Sequence, residues 1–241
     1  MMTEAALSSL SLQRHDWVVL SEAGWQNLMT TLTEEAQQLE TWRTANWPLV
    51  VRRQDADVLH DKAVVCAGIA LPPAHSSVMP QQKGRRISVR LARDEVSTMR
   101  APLALDEALS SAPVMWQSAL LRLLQTAAEQ EMRIQVVGSL AFQAITGLPY
   151  LKPESDIDLL MRVNSKAQLA AAVNLLAQFS EVLPLDGEII FPNTAAVAWK
   201  EWWQVQQRAG GALSRTQNRV LVKDMTQVRL MPIADLLDCL N

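Results

Sequence analysis

The sequence predicts an α+β fold in two parts: a small α/β unit over residues 1–100 and a mixed sheet with flanking helices over residues 101–241. Three observations carry this expectation. Strand-like and helix-like runs follow one another in mixed order, not in the strict alternation of a doubly wound parallel sheet. Ala101-Pro102 and Ala112-Pro113 interrupt the chain near its middle, where each residue before proline is pushed out of the helical region. The motifs that suggest chemistry all follow that break: Gly138-Ser139, Asp156-Ile157-Asp158 and Leu185-Asp186-Gly187-Glu188.

Residues 1–12 read as a loose terminus. His15–Leu20 (HDWVVL) reads as a strand, and Ser21 is placed to cap a helix reaching about Leu32. A second helix is expected over Glu34–Trp42. Leu49–Arg53 and Ala63–Leu71 read as strands, the latter stopped by Pro72-Pro73, and His75–Gly84 as a loop. Arg86–Leu91 (RISVRL) alternates with period two, as a half-buried strand does.

Beyond a short helical piece between the two Ala-Pro pairs, a helix over Val114–Gln130 places Met115, Ala119, Leu123 and Ala127 on one core-facing stripe. Then come a strand at Ile134–Val137, a helix at Leu140–Ile145, a strand at Asp156–Val163, and a helix at Lys166–Phe179 with Ser165 as its cap. Strands are expected at Glu188–Phe191, Val197–Lys200, Val220–Lys223 and Val228–Met231. A last short helix starts after Pro232.

Composition narrows the function classes. The chain has 241 residues, 49% apolar and 20% charged, which is ordinary globular composition. A net charge of −3 gives no electrostatic footprint for nucleic acid or an anionic membrane. No apolar run approaches the roughly 20 residues that span a bilayer. The start MMTEAALSSLSLQRHDW does not read as a signal peptide, so a cytoplasmic protein is expected. Cys66 and Cys239 lie far apart and read as free thiols. Three scattered histidines and the lack of any CxxC argue against structural zinc. The eight tryptophans read as core filler.

The stretch Val136–Arg162 (VVGSLAFQAITGLPYLKPESDIDLLMR) carries the most chemistry. Gly138 lets backbone approach a ligand without a Cβ in the way. Ser139 is placed to cap the following helix, whose N–H groups and positive dipole end favour a phosphate. Residues two apart on a strand share a face. Asp156 and Asp158 therefore project side by side, their Cα atoms about 6.5 Å apart. Two such carboxylates repel unless a cation lies between them. A hard ion such as Mg²⁺ (or Mn²⁺) suits them, because it takes oxygen ligands and bridges to phosphates. A third carboxylate is sought in Asp186 or Glu188: Glu188 is the better placed, on the strand proper, while Asp186-Gly187 is common turn chemistry, and the sequence leaves the choice open. Lys200 and Lys223 are the leading groups for holding the phosphates of a substrate, with Arg162 and Lys152 behind them. Arg52, Arg53, Arg85, Arg86 and Arg90 offer a second basic surface.

The Gly-Ser turn followed by Asp-x-Asp resembles the DNA polymerase β-like nucleotidyltransferase superfamily. Here 16 residues separate Ser139 from Asp156, more than in compact members, and Thr146–Leu151 supplies the extra length. GSLAFQAITGLPYLKPESDIDLL, LDGEIIFP, VAWKE and VLVK, with RHDWVVL, LVVRRQ and RISVRL upstream, resemble the phosphoribosyl-dephospho-CoA transferases (holo-acyl-carrier-protein synthases) of malonate decarboxylase over nearly the whole chain. That resemblance implies a nucleotidyltransferase-like catalytic part. It also implies transfer of a 2′-(5″-phosphoribosyl)-3′-dephospho-CoA prosthetic group from its 5″-triphosphate to a serine of the apo acyl-carrier subunit, with loss of pyrophosphate. Gly138 and Ser139 then match the phosphate-binding turn, and Asp156 and Asp158 the metal pair. The N-terminal unit is expected to grip the CoA moiety or the carrier protein. Two other readings stay open: a nucleotidyltransferase that adds AMP to another acceptor, and a non-catalytic binding protein that keeps the fold.

Overall fold

The computed structural model describes residues 12–59, 61–73, 84–208 and 218–241. The expected loose terminus, apart from residue 12, and the loop His75–Gly84, apart from Gly84, lie outside the described residues. The architecture is α+β, with two separate sheets, and the chain divides into two compact units at the Pro102–Leu103 junction.

The first unit holds strands β1 (Trp17–Leu20), β2 (Leu49–Val51), β3 (Val64–Ala70), β4 (Arg86–Ala92) and β5 (Val96–Arg100), in the order β4-β3-β2-β1-β5. All neighbours are antiparallel. The two edge strands follow one another in the chain, joined only by the short helical turn Arg93–Glu95. Five flat strands would put those edges about 19 Å apart at the usual spacing. Four residue steps reach only about 14 Å, so the sheet must curl. Helices α1 (Glu22–Thr31) and α2 (Ala36–Thr44) belong to this unit, and Ser21 caps α1 by accepting from the Gly24 N–H at 3.1 Å. On β4 the alternation is complete: Ile87, Val89 and Leu91 are buried while Arg86, Ser88 and Arg90 face outward. Strand β5 was not expected. It buries only Val96 fully, so it carries almost no apolar signal.

The second unit has strands β6 (Leu103–Ala104), β7 (Ile134–Val137), β8 (Ile157–Arg162), β9 (Leu185–Ile190), β10 (Ala196–Ala198), β11 (Arg219–Lys223) and β12 (Val228–Pro232), in the order β12-β11-β10-β9-β8-β7-β6. Its helices are α3 (Leu105–Ala108), α4 (Val114–Glu129), α5 (Gly138–Thr146), α6 (Lys166–Phe179), α7 (Trp199–Arg208) and α8 (Ile233–Leu237). Only β8 and β9 run parallel. Parallel neighbours need a crossover, and α6 supplies it, capped by Ser165 through the Gln168 N–H at 3.2 Å. Helix α6 packs against α4 and α7.

Three expectations for this unit need correction. Met115 is 82% exposed and not part of the core stripe, whereas Ala119, Leu123 and Ala127 are buried. Strand β10 ends at Ala198, and Lys200 sits in the first turn of α7 instead of on a strand. Trp199 and Trp202 explain why: three residues apart on a helix, they bury together. Strand β8 begins at Ile157, so Asp156 lies in the preceding loop.

Candidate functional site

The site is built by strand register. Parallel pairing sets Asp158 beside Asp186 and Leu160 beside Glu188. Antiparallel pairing sets Val137 beside Asp158, Ala198 beside Glu188 and Ala196 beside Lys223. Register partners project from the same face of a sheet. One face therefore gathers Asp158, Asp186, Glu188 and Lys223, drawn from three strands. Beside them on that face lies a buried apolar cluster of Val137, Leu160, Ile190 and Ala196. The opposite face of β8, with Ile157, Leu159 and Met161, is buried as well. From Ile157 to Met161 both sides of β8 are thus covered, with the half-exposed Asp158 as the exception, and the strand ends on the exposed Arg162.

Two lysines are tied to the carboxylates. Lys223 donates to Glu188 Oε1 at 2.9 Å, and Glu188 is buried, its side chain 10% exposed. Lys200 Nζ lies 3.7 Å from Asp186 Oδ1 and 5.9 Å from the centre of the Trp199 ring. Asp186 keeps 42% of its side chain exposed, so it is the more open of the two carboxylates on β9.

Gly138 opens α5 with φ of +67°, and a Cβ built there would fall 2.3 Å from Asp158 Oδ2. The Asp158 carboxylate therefore rests against the start of α5, in a cradle that only glycine leaves open. A helix N-terminus favours negative charge at that place. Ser139 does not cap the helix as expected. Val137 occupies the cap position and no side chain caps the first turn. The reason is that Gly138, in the left-handed conformation, already begins the helix, which puts Ser139 inside the first turn.

Asp156 is exposed and stands one residue before β8, outside the ladder that fixes Asp158. The expected strand pair thus becomes one carboxylate on the sheet and one on a loop. The nearest in-register companion of Asp158 is Asp186. Among the described residues, no group of three or more His, Cys, Asp or Glu is arranged to hold a metal ion. Mg²⁺ rarely uses such a cage; it takes one or two carboxylates and fills its remaining positions with water and substrate phosphates. The adjacent Asp158 and Asp186, with the glycine cradle beside them, fit that manner of binding.

The loop between α5 and β8 is strongly tied down. Gln143 Oε1 accepts from the Tyr150 and Leu151 N–H groups, both at 3.1 Å, and Gln143 Nε2 donates to the Ser111 carbonyl at 2.7 Å. Tyr150 stacks on Phe142 at 5.4 Å. Burial pushes the Tyr150 hydroxyl far above its ordinary range, against a smaller opposing effect of its hydrogen bond with Thr146. Sequence reasoning singled out Thr146–Leu151 but not Gln143, the side chain that organises it.

In the first unit most of the expected basic surface is neutralised. Arg90 donates to Asp55 at 2.7 Å and to both oxygens of Asp57 at 2.7 Å. Arg52 donates to Asp55 at 2.9 Å, and Arg85 pairs with the buried Glu35. The hydrogen bond from Arg52, opposed by partial burial and reinforced by Arg90, holds the Asp55 carboxyl well below the usual carboxylate range. A cavity of about 390 Å³ opens between α1 and β4 beside this network. Arg53 and Arg86 remain exposed. Cys66 and Cys239 are free thiols. No described helix is long and apolar enough to cross a membrane.

Fold and site together define a two-unit α+β protein with a row of carboxylates, countered by lysines, on one face of a mixed sheet. Residues 13–102 match the profile of the Phosphoribosyl-dephospho-CoA transferase MdcG N-terminal domain, and residues 103–234 that of the Phosphoribosyl-dephospho-CoA transferase MdcG C-terminal domain. A protein of Xanthomonas campestris pv. campestris (strain 8004) named phosphoribosyl-dephospho-CoA transferase is 38% identical over 83% of this chain and 86% of its own length. Proteins of the same name from Xanthomonas euvesicatoria pv. vesicatoria (strain 85-10) and Bradyrhizobium diazoefficiens are 35% and 31% identical, over 92% and 89% of this chain and 95% and 91% of their own. No solved structure gives a significant match. The chain belongs to the phosphoribosyl-dephospho-CoA transferase family, a family of transferase enzymes and the one its motifs resemble.

Proposed function

We propose that the chain transfers a 2′-(5″-phosphoribosyl)-3′-dephospho-CoA group from its 5″-triphosphate to a serine hydroxyl of the apo acyl-carrier subunit of malonate decarboxylase. The observation that carries this reading is the in-register pair Asp158 and Asp186 beside the Gly138 cradle, in a chain whose relatives bear the transferase name. The serine oxygen bonds to the α-phosphorus, the bond from that phosphorus to the bridging oxygen breaks, and its electron pair leaves with pyrophosphate. This is nucleotidyltransferase chemistry, and most of its catalysis is positioning and charge stabilisation.

Each residue then has a task. Gly138 and Ser139, at the uncapped start of α5, receive phosphate oxygens through backbone N–H groups. Asp158 and Asp186 would hold Mg²⁺ or Mn²⁺ as its two strand carboxylates, and Asp156 would complete the site from its loop once substrate and metal draw it in. When bound, the ion neutralises phosphate charge and steadies the leaving group. Asp186, the more exposed of the two carboxylates on β9, is the third carboxylate and the group assigned to take the serine proton. Lys200 and Lys223 face the triphosphate as cations, and Glu188 holds Lys223 in place through their 2.9 Å contact.

One reaction tests this. The protein, Mg²⁺, the triphosphate donor and apo carrier are mixed, with ATP as control donor, and the carrier is read by intact mass. The expected result is a carrier heavier by the whole prosthetic group, only with the CoA-derived donor. Adenylation by ATP, or an unmodified carrier with folded protein, overturns the proposal.

A further inference from the structure

We infer that Gln143 is the positioning residue that sets Asp156, and through it the metal site, in place; this rests on the reading of the site given above. The need arises because β8 begins at Ile157. The ladder fixes Asp158, but Asp156 depends on the loop that delivers it. That loop is tied down along its length: Leu148 N–H binds Thr146 Oγ1 at 3.1 Å, Tyr150 stacks on Phe142, and three sets of hydrogen bonds follow towards Asp156. Gln143 binds the N–H groups of Tyr150 and Leu151 with one oxygen, both at 3.1 Å. Lys152 to Ser155 closes on itself, Lys152 N–H to Ser155 Oγ at 2.8 Å and Ser155 N–H to the Lys152 carbonyl at 3.0 Å. Ile157 N–H binds the Pro184 carbonyl at 2.8 Å. The last two ties are local to the ends of the segment. Thr146 and Phe142 of α5 also touch the loop, but Gln143 is the α5 side chain that takes two consecutive backbone N–H groups, those of Tyr150 and Leu151, and so fixes the course of the chain towards Asp156 from the helix whose start cradles Asp158.

The chemistry of the side chain matches the task. A primary amide is acceptor and donor at once. Its oxygen serves two backbone donors, while its nitrogen donates to the Ser111 carbonyl at 2.7 Å, which stops the amide from rotating. Tyr150, 5% exposed and stacked on Phe142, closes the same region against water. A hydrocarbon in place of Gln143 would strand two part-buried N–H groups and release the loop. A glutamate would keep an acceptor oxygen for both N–H groups while its second oxygen turns from the Ser111 carbonyl, so that the anchor at Ser111 is lost and the loop contacts stay.

The test compares Gln143→Leu and Gln143→Glu with the parent protein, in three readouts. Amide hydrogen exchange reports the loop directly: Gln143→Leu should lose protection at Tyr150 and Leu151, and Gln143→Glu should keep it. Mn²⁺ binding in the presence of the donor, followed by the resonance of the free ion, should weaken about tenfold in the leucine variant, in line with loss of one properly placed ligand. Turnover should fall roughly 10- to 100-fold in kcat, as a misplacement of about an ångström costs, with KM for the carrier unchanged and the glutamate variant within severalfold of the parent. Should the leucine variant not fold, Gln143→Asn, one methylene shorter, is read at the same two amides. Unaltered protection at Tyr150 and Leu151 overturns the inference, and so does lost protection with parental Mn²⁺ affinity and kcat. If the parent transfers nothing while exchange and Mn²⁺ binding respond as stated, the clamp stands and the proposed reaction is what fails.

Discussion

Asp156 and Asp158 look alike in sequence, and the backbone makes them different. Asp158 is fixed by pairing on both sides, to Val137 and to Asp186, and lies against Gly138. Asp156 is exposed on a loop. Replacing Asp158 with Asn should lower kcat by on the order of 10²- to 10³-fold, the scale of a lost preorganised electrostatic contact, at every Mg²⁺ concentration. Asp156→Asn should recover part of its loss as Mg²⁺ is raised, because weak metal affinity can be offset by mass action. Initial rates across a Mg²⁺ series separate the two, and identical curves would refute the distinction. Gly138 and Asp158, which lie against each other, are both singled out in the sequence by residue type and spacing. That Asp186 lies beside Asp158 while Glu188 is held by Lys223 was not legible. It depends on a parallel register between segments 28 residues apart (158 and 186) and on which carboxylate Lys223 claims.

At the scale of elements, β8 and β9 approach each other more closely than side chains allow. Gly187 has φ of +129°, and a Cβ there would lie 1.9 Å from the Leu159 carbonyl oxygen. Gly187→Ala must push the strands apart between Asp186 and Glu188, at a cost of roughly 3 kcal/mol or more from overpacking against rigid backbone. Urea denaturation should show that loss, and a change below about 1 kcal/mol would mean the strand relaxes freely. The Arg52–Asp55–Arg90 network is the corresponding device in the curled sheet. Asp55 is held below its ordinary value of 3.8, so its contribution to stability is complete above that pH and fades as pH falls towards the depressed folded value. Asp55→Asn should therefore lower Tm at pH 7, and the gap to the parent should narrow only below about pH 4. A gap constant down to pH 2 would show that the charge plays no part. Helices with polar caps, such as those after Ser21 and Ser165, were readable because the cap is a local signal. Strand β5, with one fully buried residue, and the two-residue β6 exist because partner strands hold them, and no local pattern announces that. Helix α7 was hidden because Val-Ala-Trp favours a strand until the spacing of Trp199 and Trp202 is weighed over a full turn.

For the whole molecule, the two family matches meet where the sheets separate, at residues 102 and 103. Each unit carries its own sheet and its own buried tryptophans, Trp17, Trp25 and Trp42 in the first and Trp116, Trp199 and Trp202 in the second. Each has its own fully buried leucines as well, Leu39 in the first and Leu120 in the second, both 0% exposed. A unit with its own core can unfold as its own cooperative step. Leu39→Ala and Leu120→Ala each remove the same buried group, at about 2–5 kcal/mol. For a unit of roughly 100 residues, each kcal/mol moves Tm by about 4–8 °C. Scanning calorimetry should then show Leu39→Ala displacing one transition by about 10 °C or more while the other stays in place, and Leu120→Ala doing the reverse. The pairing of the two variants is what decides the question, since either alone is equally consistent with a single fragile core. If both variants shift one shared transition by the same amount, the units melt as one body. If they divide as expected, the less stable unit can be melted alone under mild denaturant, and, where that unit is the first, loss of the transfer proposed above at that point would assign substrate capture to the curled sheet.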